Sequence, residues 1–479
     1  MNPPQPRTPR TPDPAPERRI LRIRGGSAWD DRGPRHAPGP VAALFDTRDR
    51  DRFCPGTLLA IGPADEIDRH EAWAHTPPEQ RQTIDRPGSV LLPAFVNAHT
   101  HLDLSALGPR PPSDPADPSA FAAWLDMVRL GRPAQPDAIA WSVRLGVELS
   151  IRGGVAAVGD VAGAAGGQTN LEAWRTLADG PLLGVSEVEF FGIGRGEARG
   201  LEAATALWRA HEAGFRIDPD AGVRLGLQPH APYSVAEPTF RALAGEAARW
   251  NASGSPALHL ATHLAESLAE RELIAHARGA QRTFLESLGL WDESLAAQVG
   301  RGRHPIEHME RALVSAAEGG SPFLCAHVHD CPPEWEGREP EALLGVLRRA
   351  GVSVAYCPRS SDAFASPDAL GPHRYRAMLD AGVNVCLGTD SLVSCPPGTD
   401  RLSPLDEARR LHARDGTDPL TLLAMCTTRG ARALGIDEDR CRWTVGGRML
   451  GVVAAEGATL ASVMGGESEV ALLPTTTCC

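Results

Sequence analysis

Eight short apolar segments recur between residues 90 and 388, and each is separated from the next by a stretch long enough for a helix. The segments begin at Val90, Gly154, Leu182, Val223, Ala257, Pro322, Val352 and Val383. Intervening stretches such as 137–152 and 238–250 carry apolar residues at helical spacing. This alternation is typical of βα units around a parallel sheet, and eight units predict an α/β fold, the (β/α)8 TIM barrel.

The two ends of the chain differ from the predicted barrel at 91–439. Residues 1–18 are dominated by Pro and Arg and lack apolar periodicity, so we expect a disordered tail. Residues 19–90 contain short apolar runs between Gly, Pro and Asp, the pattern of a small β-module, and 440–479 have a similar character. We therefore predict a small β-sandwich domain built from 19–90 together with 440–479.

The first apolar segment runs into the tripeptide His99-Thr-His101. Alternate residues of a strand face the same side, so both imidazoles could reach one divalent cation through neutral nitrogen atoms. Taken alone, the tripeptide is equally compatible with two polar residues at the end of a strand.

Reactive side chains also follow four other predicted strands, and active sites of TIM barrels lie at the carboxyl ends of the strands. They are His230 and Tyr233 after the fourth strand, His263 and Glu266 after the fifth, His327 after the sixth and Asp390 after the eighth. Each one singly could be a solvated loop residue or a helix cap. Because a barrel directs its strand ends into one pocket, their joint occurrence predicts a shared, metal-centred site.

Composition narrows the chemistry and the partners. The chain contains no lysine, so all 48 basic residues are arginine, and any mechanism that requires a lysine nucleophile or carbamate is excluded. A formal net charge of −12 argues against a nucleic-acid partner, and we expect a small-molecule substrate. No long uncharged apolar run and no N-terminal signal pattern occurs, which predicts no membrane partner and a cytoplasmic protein.

Five sequence strings resemble the amidohydrolase superfamily. They are L-P-A-F-V-N-A-H-T-H-L-D at 92–103, P-H-A-P-Y-S at 229–234, H-L-A-E-S at 263–267 with Glu270 beyond it, C-P-R-S at 357–360 and L-G-T-D-S at 387–391. The resemblance covers nearly the whole chain apart from the N-terminal tail. Within the superfamily the strings are similar to the aromatic-ring aminohydrolases, which include adenosine-type, S-adenosylhomocysteine, guanine and aminodeoxyfutalosine deaminases and the triazine hydrolases.

The resemblance implies a single metal ion held by His99, His101, His263 and Asp390, namely Zn²⁺ with Fe²⁺ or Mn²⁺ as substitutes. Neutral imidazoles and one carboxylate suit such an ion independently, and a cation bound in this way lowers the pKa of a coordinated water toward ~7. The two-metal members of the superfamily use a carboxylated lysine, which a chain without lysine cannot provide.

The resemblance also implies catalytic roles for Glu266, His327 and Asp390. Glu266 would shuttle a proton, because loss of ammonia from an aromatic amidine requires protonation of a ring nitrogen during attack on the neighbouring carbon. His327 would stabilise the attacking or developing oxygen together with Asp390. Alternatively, His327 is a hydrogen-bonded histidine under a loop.

Three further residues are candidates for contact with the substrate. His230 and Tyr233 either touch it or pack against the rim of the barrel. His373 either reaches the pocket or caps the helix that follows it.

The predicted function is hydrolytic deamination of an aminated six-membered aromatic ring, with an adenine nucleoside or aminodeoxyfutalosine as substrate. Alternatives are dechlorination of a triazine, another cyclic C–N hydrolysis such as that of imidazolonepropionase or guanine deaminase, and a binding scaffold that has lost its metal. Relatives are commonly dimers, which leaves a homodimer open.

Overall fold

The computed structural model of the protein describes residues 19–36, 39–113, 118–212, 222–254, 257–364, 366–466 and 468–474. The tail predicted at 1–18 lies outside the described residues. Among the helices within these ranges, none combines the length and the apolar character that crossing a bilayer requires.

The strands fall into three groups along the described chain. The first group is β1 (Ile20–Asp30), β2 (Gly33–Pro34), β3 (Val41–Asp46), β4 (Thr57–Pro63) and β5 (Arg81–Pro93). The second group is β6 (Phe95–Thr100), β7 (Val155–Ala162), β8 (Leu183–Phe190), β9 (Val223–Pro229), β10 (His259–Leu264), β11 (Leu324–His327), β12 (Ser353–Tyr356) and β13 (Asn384–Leu387). The third group is β14 (Val452–Glu456) and β15 (Val470–Leu473).

Helices occupy most of the connections between the strands. They are α1 (Ala64–Ile67), α2 (Glu71–Ala74), α3 (Pro118–Gly131), α4 (Pro136–Arg152), α5 (Glu172–Ala178), α6 (Glu197–Glu212), α7 (Glu237–Ala252), α8 (Leu268–His276), α9 (Ala280–Ser287), α10 (Glu293–Gln298), α11 (Pro305–Glu318), α12 (Ala342–Arg349), α13 (Pro358–Ala363), α14 (Ser366–Leu370), α15 (Tyr375–Asp380), α16 (Pro404–Asp415), α17 (Pro419–Cys426), α18 (Thr428–Ala433) and α19 (Leu460–Gly465). Short 3-10 helices span Thr47–Asp49, Pro78–Gln80, Leu102–Leu107, Gly194–Gly196, Leu392–Ser394 and Glu438–Cys441.

Strands β6 to β13 form one sheet in chain order, and every pairing in it is parallel. The sheet closes where the last strand meets the first, since the N–H groups of Thr389 and Asp390 donate to the carbonyl of His99 at 3.0 and 3.1 Å. Gly388 permits this closure, because a Cβ there would lie 2.8 Å from the backbone oxygen of His99. The predicted (β/α)8 barrel is confirmed.

Local sequence accounts for the individual elements. All eight residues of β7 are buried, as expected of a parallel strand covered on both faces. Helix α11 buries a stripe with the helical repeat at Ile306, Met309, Leu313 and Ala316. A capping box at His304 starts the helix: its backbone N–H donates to the side chain of the glutamate three residues on, at 3.0 Å.

The second sheet joins strands from both ends of the chain in the order β15-β14-β5-β1-β3-β4, with β2 paired to β1. It is a single mixed sheet, in which β1 and β5 run parallel and the other pairs are antiparallel. Residues 90–93, which the sequence assigns to the first barrel strand, belong to β5: Val90 pairs with Ala455 and Leu92 with Val453. Pro93 is the last residue of β5, and Ala94 separates this strand from β6.

Candidate metal centre

Five of the predicted site residues lie together at the carboxyl end of the barrel. They are His99 and His101 at the end of β6, His263 in β10, His327 at the end of β11 and Asp390 just after β13. All five are buried, with at most 6% of the residue exposed. The ring centroids are 5.1 Å apart for His99 and His101, 5.1 Å for His99 and His263, and 5.4 Å for His263 and His327.

The donor atoms of these residues form two overlapping groups. One ring nitrogen from each of His99, His101 and His263 lies within 4.8 Å of the other two, and His99, His327 and Asp390 make a second group at the same spacing. Nε2 of His99 is buried and has no hydrogen-bond partner among the described residues. A buried polar atom without a partner is costly. The donor set therefore fits a divalent cation, for which imidazole and carboxylate are suitable ligands.

The two oxygen atoms of Asp390 have different neighbours. Oδ2 accepts hydrogen bonds from the hydroxyls of Ser360 at 2.6 Å and Ser394 at 3.2 Å. Oδ1 lies 3.7 Å from Nε2 of His99 and 3.4 Å from Nε2 of His101. Although burial raises the pKa of Asp390, its contacts with the imidazoles of His99 and His101 hold that pKa well below its ordinary value. The carboxylate is therefore ionised, with one oxygen fixed and the other turned toward the histidines.

Burial keeps the histidines neutral. It lowers the pKa of His99 and of His327, lowers that of His101 well below its ordinary value, and lowers that of His263 to about 4. The neutral imidazole is the form that binds a metal ion. Nδ1 of His263 also lies 3.0 Å from the carbonyl oxygen of His230, a contact that requires a proton on Nδ1 and leaves Nε2 free to bind a cation.

Glu266 lies beside the donor groups rather than among them. Its Oε1 is 3.5 Å from Nε2 of His327, and its Oε2 accepts a hydrogen bond from the hydroxyl of Tyr233 at 3.5 Å. Burial raises the pKa of Glu266 above its ordinary value. The carboxyl group can therefore hold and release a proton next to the histidine cluster.

His230 and Tyr233 lie on the side of His263. The ring of His230 is 4.9 Å from that of His263, 5.4 Å from Tyr233 and 4.8 Å from Phe191. Its Nδ1 is 2.7 Å from the hydroxyl of Ser234, which fixes the orientation of the ring. The rings of His230, Tyr233 and Phe191 form an aromatic wall next to the candidate metal centre. Contact of His230 and Tyr233 with a substrate stays a prediction.

His373 contacts the backbone of one histidine of the cluster. Its Nε2 donates to the carbonyl of His327 at 2.9 Å, and its ring stacks on Tyr356 with centroids 3.7 Å apart. The following helix, α15, has Arg374 and not His373 at its N-cap. These contacts are those of a residue that supports His327, and a contact with substrate stays a prediction.

A buried charged cluster borders the same site and has no obvious signal in the sequence. Nη1 of Arg132 lies 3.3 Å from Asp103 and 3.2 Å from Glu189, whose other oxygen is 3.8 Å from Nε2 of His230. Burial raises the pKa of Asp103 to about 6, and Arg132 opposes this rise. The one available hint is the alternation of Glu187 and Glu189 in the otherwise apolar β8, because a buried strand rarely carries two carboxylates.

A closed (β/α)8 barrel with imidazoles, an ionised aspartate and a protonatable glutamate converging at its carboxyl end defines the class of metal-dependent barrel hydrolases. The sequence profile described as "Amidohydrolase family" matches residues 90–446. The chain therefore belongs to the amidohydrolase family, and it is a hydrolase that acts on carbon–nitrogen bonds.

Individual relatives agree with this assignment. The aminodeoxyfutalosine deaminase of Deinococcus radiodurans is 29% identical over 395 residues, which cover 79% of each protein. The 5-methylthioadenosine/S-adenosylhomocysteine deaminase of Pelotomaculum thermopropionicum is 26% identical over 398 residues, covering 80% of this chain and 74% of that protein. A crystal structure of an adenosine deaminase from Xanthomonas campestris with bound zinc shares the fold, with a TM-score of 0.61, 21% identity, and coverage of 94% of this chain and 89% of that one.

Proposed function

We propose that the protein hydrolytically deaminates the adenine ring of a nucleoside or of a nucleoside-like compound such as aminodeoxyfutalosine. The observation that carries this proposal is the position of Glu266, whose carboxyl group lies 3.5 Å from Nε2 of His327 and outside the ligand groups. Plain amide hydrolysis needs no group that protonates a ring nitrogen, whereas displacement of ammonia from an aromatic amidine does. The names of the relatives from Deinococcus and Pelotomaculum support the same class of substrate.

His99, His101, His263 and Asp390 would hold one divalent cation. Zinc is the proposed ion, supported by the donor set and by the zinc in the Xanthomonas structure, and Fe²⁺ or Mn²⁺ would fit the same donors. A cation bound there would supply Lewis-acid chemistry, making a water molecule acidic enough to act as a nucleophile near neutral pH.

Proton transfer is the proposed task of Glu266. Its carboxylate accepts a proton from the attacking water, and the resulting carboxylic acid donates that proton to the ring nitrogen beside the carbon under attack. His327 would donate a hydrogen bond to the attacking oxygen, and the ionised Asp390 would accept one from it. Glu266 then takes the second proton from the hydroxyl formed on the attacked carbon and delivers it to the amino group, so that the C–N bond breaks, ammonia leaves and a carbonyl remains on the ring.

The aromatic wall would position the substrate. His230 and Tyr233 would contact the ring or its substituent, while His373 acts through the carbonyl of His327. We also propose a cytoplasmic setting, since the described cysteines are buried free thiols, which are typical of a reducing compartment.

Ammonia release by the purified, zinc-loaded protein tests this function. The panel is adenosine, 5′-methylthioadenosine, S-adenosylhomocysteine, aminodeoxyfutalosine, guanine, cytosine and a chlorinated triazine. We expect ammonia from at least one of the first four compounds and no chloride release from the triazine. Chloride release or turnover of guanine alone would instead support the alternative ring hydrolases, and no turnover of any compound would count against the proposal.

A further inference from the structure

Glu270 is a fully buried glutamate in the first turn of α8, and none of the steps above uses it. Its Oε1 accepts the backbone N–H of Ala265 at 2.9 Å, and its Oε2 accepts that of Glu266 at 2.9 Å. Both oxygen atoms therefore hold the backbone of the dipeptide that presents the Glu266 side chain.

The backbone at this dipeptide is in a conformation that needs support. Ala265 has a φ of +51°, in the left-handed region that residues with a Cβ rarely adopt. Such a conformation persists only where its surroundings hold it. Two hydrogen bonds of 2.9 Å, donated by the N–H groups of Ala265 and Glu266 to one buried side chain, provide that support at the proposed proton-transfer residue.

The arrangement differs from an ordinary helix cap. Ser267 is the N-cap of α8, and its hydroxyl accepts the N–H of Glu270 at 3.3 Å. In a capping box, a glutamate at this position would bond the N–H of the N-cap residue itself. Glu270 instead reaches one and two residues further back, to Glu266 and Ala265. Its contacts serve the segment before the helix.

The loop that follows β11 fixes the same segment from the other side. The N–H of Asp330 donates to the carbonyl of Ala265 at 2.8 Å. The carboxylate of Asp330 is paired with Arg271, the residue after Glu270, through an Nε to Oδ2 contact of 2.7 Å. The Ala265–Glu266 backbone is thus held between α8 and β11, where His327 ends the strand.

We propose that Glu270 is a positioning residue that sets the Ala265–Glu266 backbone and thereby keeps the Glu266 carboxyl group beside His327 for proton transfer. This inference rests on the proposed function, because it requires Glu266 to move a proton. Glu270 contacts neither the candidate ligands nor the aromatic wall among the described hydrogen bonds. Its loss should therefore lower kcat and leave substrate affinity and metal content unchanged.

The test compares Glu270→Gln with Ser267→Ala in the zinc-loaded, full-length protein, using 5′-methylthioadenosine as substrate and amide hydrogen exchange as a second readout. Glutamine has nearly the same shape but offers one acceptor oxygen, so one of the two N–H groups loses its partner. We expect kcat to fall at least about tenfold, KM and zinc content to stay within about twofold, and exchange across 263–268 to become faster. Ser267→Ala removes the cap of the same helix and should keep kcat within about twofold.

Wild-type kcat in Glu270→Gln would overturn the inference, as would unchanged amide exchange, which needs no substrate to measure. A loss expressed in KM or in zinc content would also overturn it. An equal fall of kcat in Ser267→Ala would assign the effect to the stability of α8 instead. Full activity of Glu266→Gln would refute the proposed function itself, whereas an inactive Glu266→Gln beside a normal Glu270→Gln would refute only the positioning role.

Discussion

The hydroxyl of Ser360 donates a 2.6 Å hydrogen bond to Oδ2 of Asp390, which leaves Oδ1 facing the imidazoles of His99 and His101. A ligand carboxylate oriented in this way depends on its hydrogen-bond partner for its rotamer. Ser360 is the serine of the C-P-R-S string, which directly follows β12, the seventh strand of the barrel. The structure thus links that string to the candidate metal centre.

Removal of this hydroxyl should weaken metal binding. We expect Ser360→Ala to reduce zinc affinity by about 10-fold to 100-fold, since residues that orient a ligand have effects of this size. Competition with a chromophoric chelator measures the change. Ser361→Ala is the matched control, because Ser361 is an equally small buried neighbour without a described bond to Asp390. Equal zinc affinity in both variants would show that Ser360 does not orient the ligand.

Glu266→Gln should separate metal binding from catalysis. The amide cannot accept and return a proton, so kcat should fall by about 10²-fold to 10⁴-fold while the zinc content stays as in the wild type. Steady-state ammonia assays give kcat, and elemental analysis gives the zinc content. Loss of zinc in this variant would instead indicate that Glu266 is a metal ligand.

Arg132 should be essential for stability, because it is the buried cation between Asp103 and Glu189. Its removal leaves two buried carboxylates facing each other without a counter-charge, and we expect Arg132→Met to lower the free energy of unfolding by about 3–5 kcal/mol. Arg129→Met is the control: its side chain is 54% exposed and pairs with Asp126 on the surface, so its effect should stay within about 0.5 kcal/mol. Urea unfolding of both variants measures the free energy of unfolding. Similar losses in the two variants would contradict the role of Arg132 as the counter-charge of Asp103 and Glu189.

Glu187 and His259 form a buried neutral pair that should make stability depend on pH. Nδ1 of His259 lies 3.2 Å from Oε1 of Glu187, while Nε2 of His259 donates to the carbonyl of Ala433 at 3.0 Å. Burial raises the pKa of Glu187 well above its ordinary value of 4.5 and lowers that of His259 to about 4. Burial therefore favours the neutral form of both groups, although neither carboxyl oxygen of Glu187 nor Nδ1 of His259 has a hydrogen-bond partner among the described residues.

The direction in which stability changes with pH follows from the raised pKa of Glu187. Its contribution to stability is fully present below pH 4.5 and is lost as the pH rises toward the folded-state pKa. Glu187→Gln has nearly the same shape and cannot ionise, so it should raise the urea midpoint at pH 8 and change it little at pH 5. An equal or lower midpoint at pH 8 would contradict the neutral pair.

Much of the barrel could be predicted because its signals are local. Alternating apolar strands and helical stretches define the eight units. His99, His101, His263 and Asp390 lie at or just beyond the carboxyl ends of strands that any closed barrel brings together. The division of the first segment at Pro93 was not predicted, because residues 90–93 and the residues that begin β6, Phe95 and Val96, form one apolar run. Only the pairing with β14, more than 300 residues away, separates them.

Contacts between residues that are far apart in the chain could not be predicted from the sequence either. The pair Arg132 and Glu189 joins the segment between α3 and α4 to the third barrel strand, and no spacing rule connects the two positions. The interpretation of His373 shows the same limit. The sequence left open whether His373 reaches the pocket or caps the following helix, and its bond to the carbonyl of His327 could be found only in the structure.

Metal content tests the central claim most directly. Wild-type protein, stripped by a chelator and then reloaded with zinc, should retain about one equivalent per chain after desalting, as expected of a site with three imidazoles and a carboxylate. His263→Ala should retain below about 0.1 equivalent, and His329→Ala, which replaces a buried histidine outside the ligand groups, should behave as the wild type. Wild-type protein that cannot be reloaded, or a His263→Ala variant that binds zinc as well as the wild type, would contradict the account.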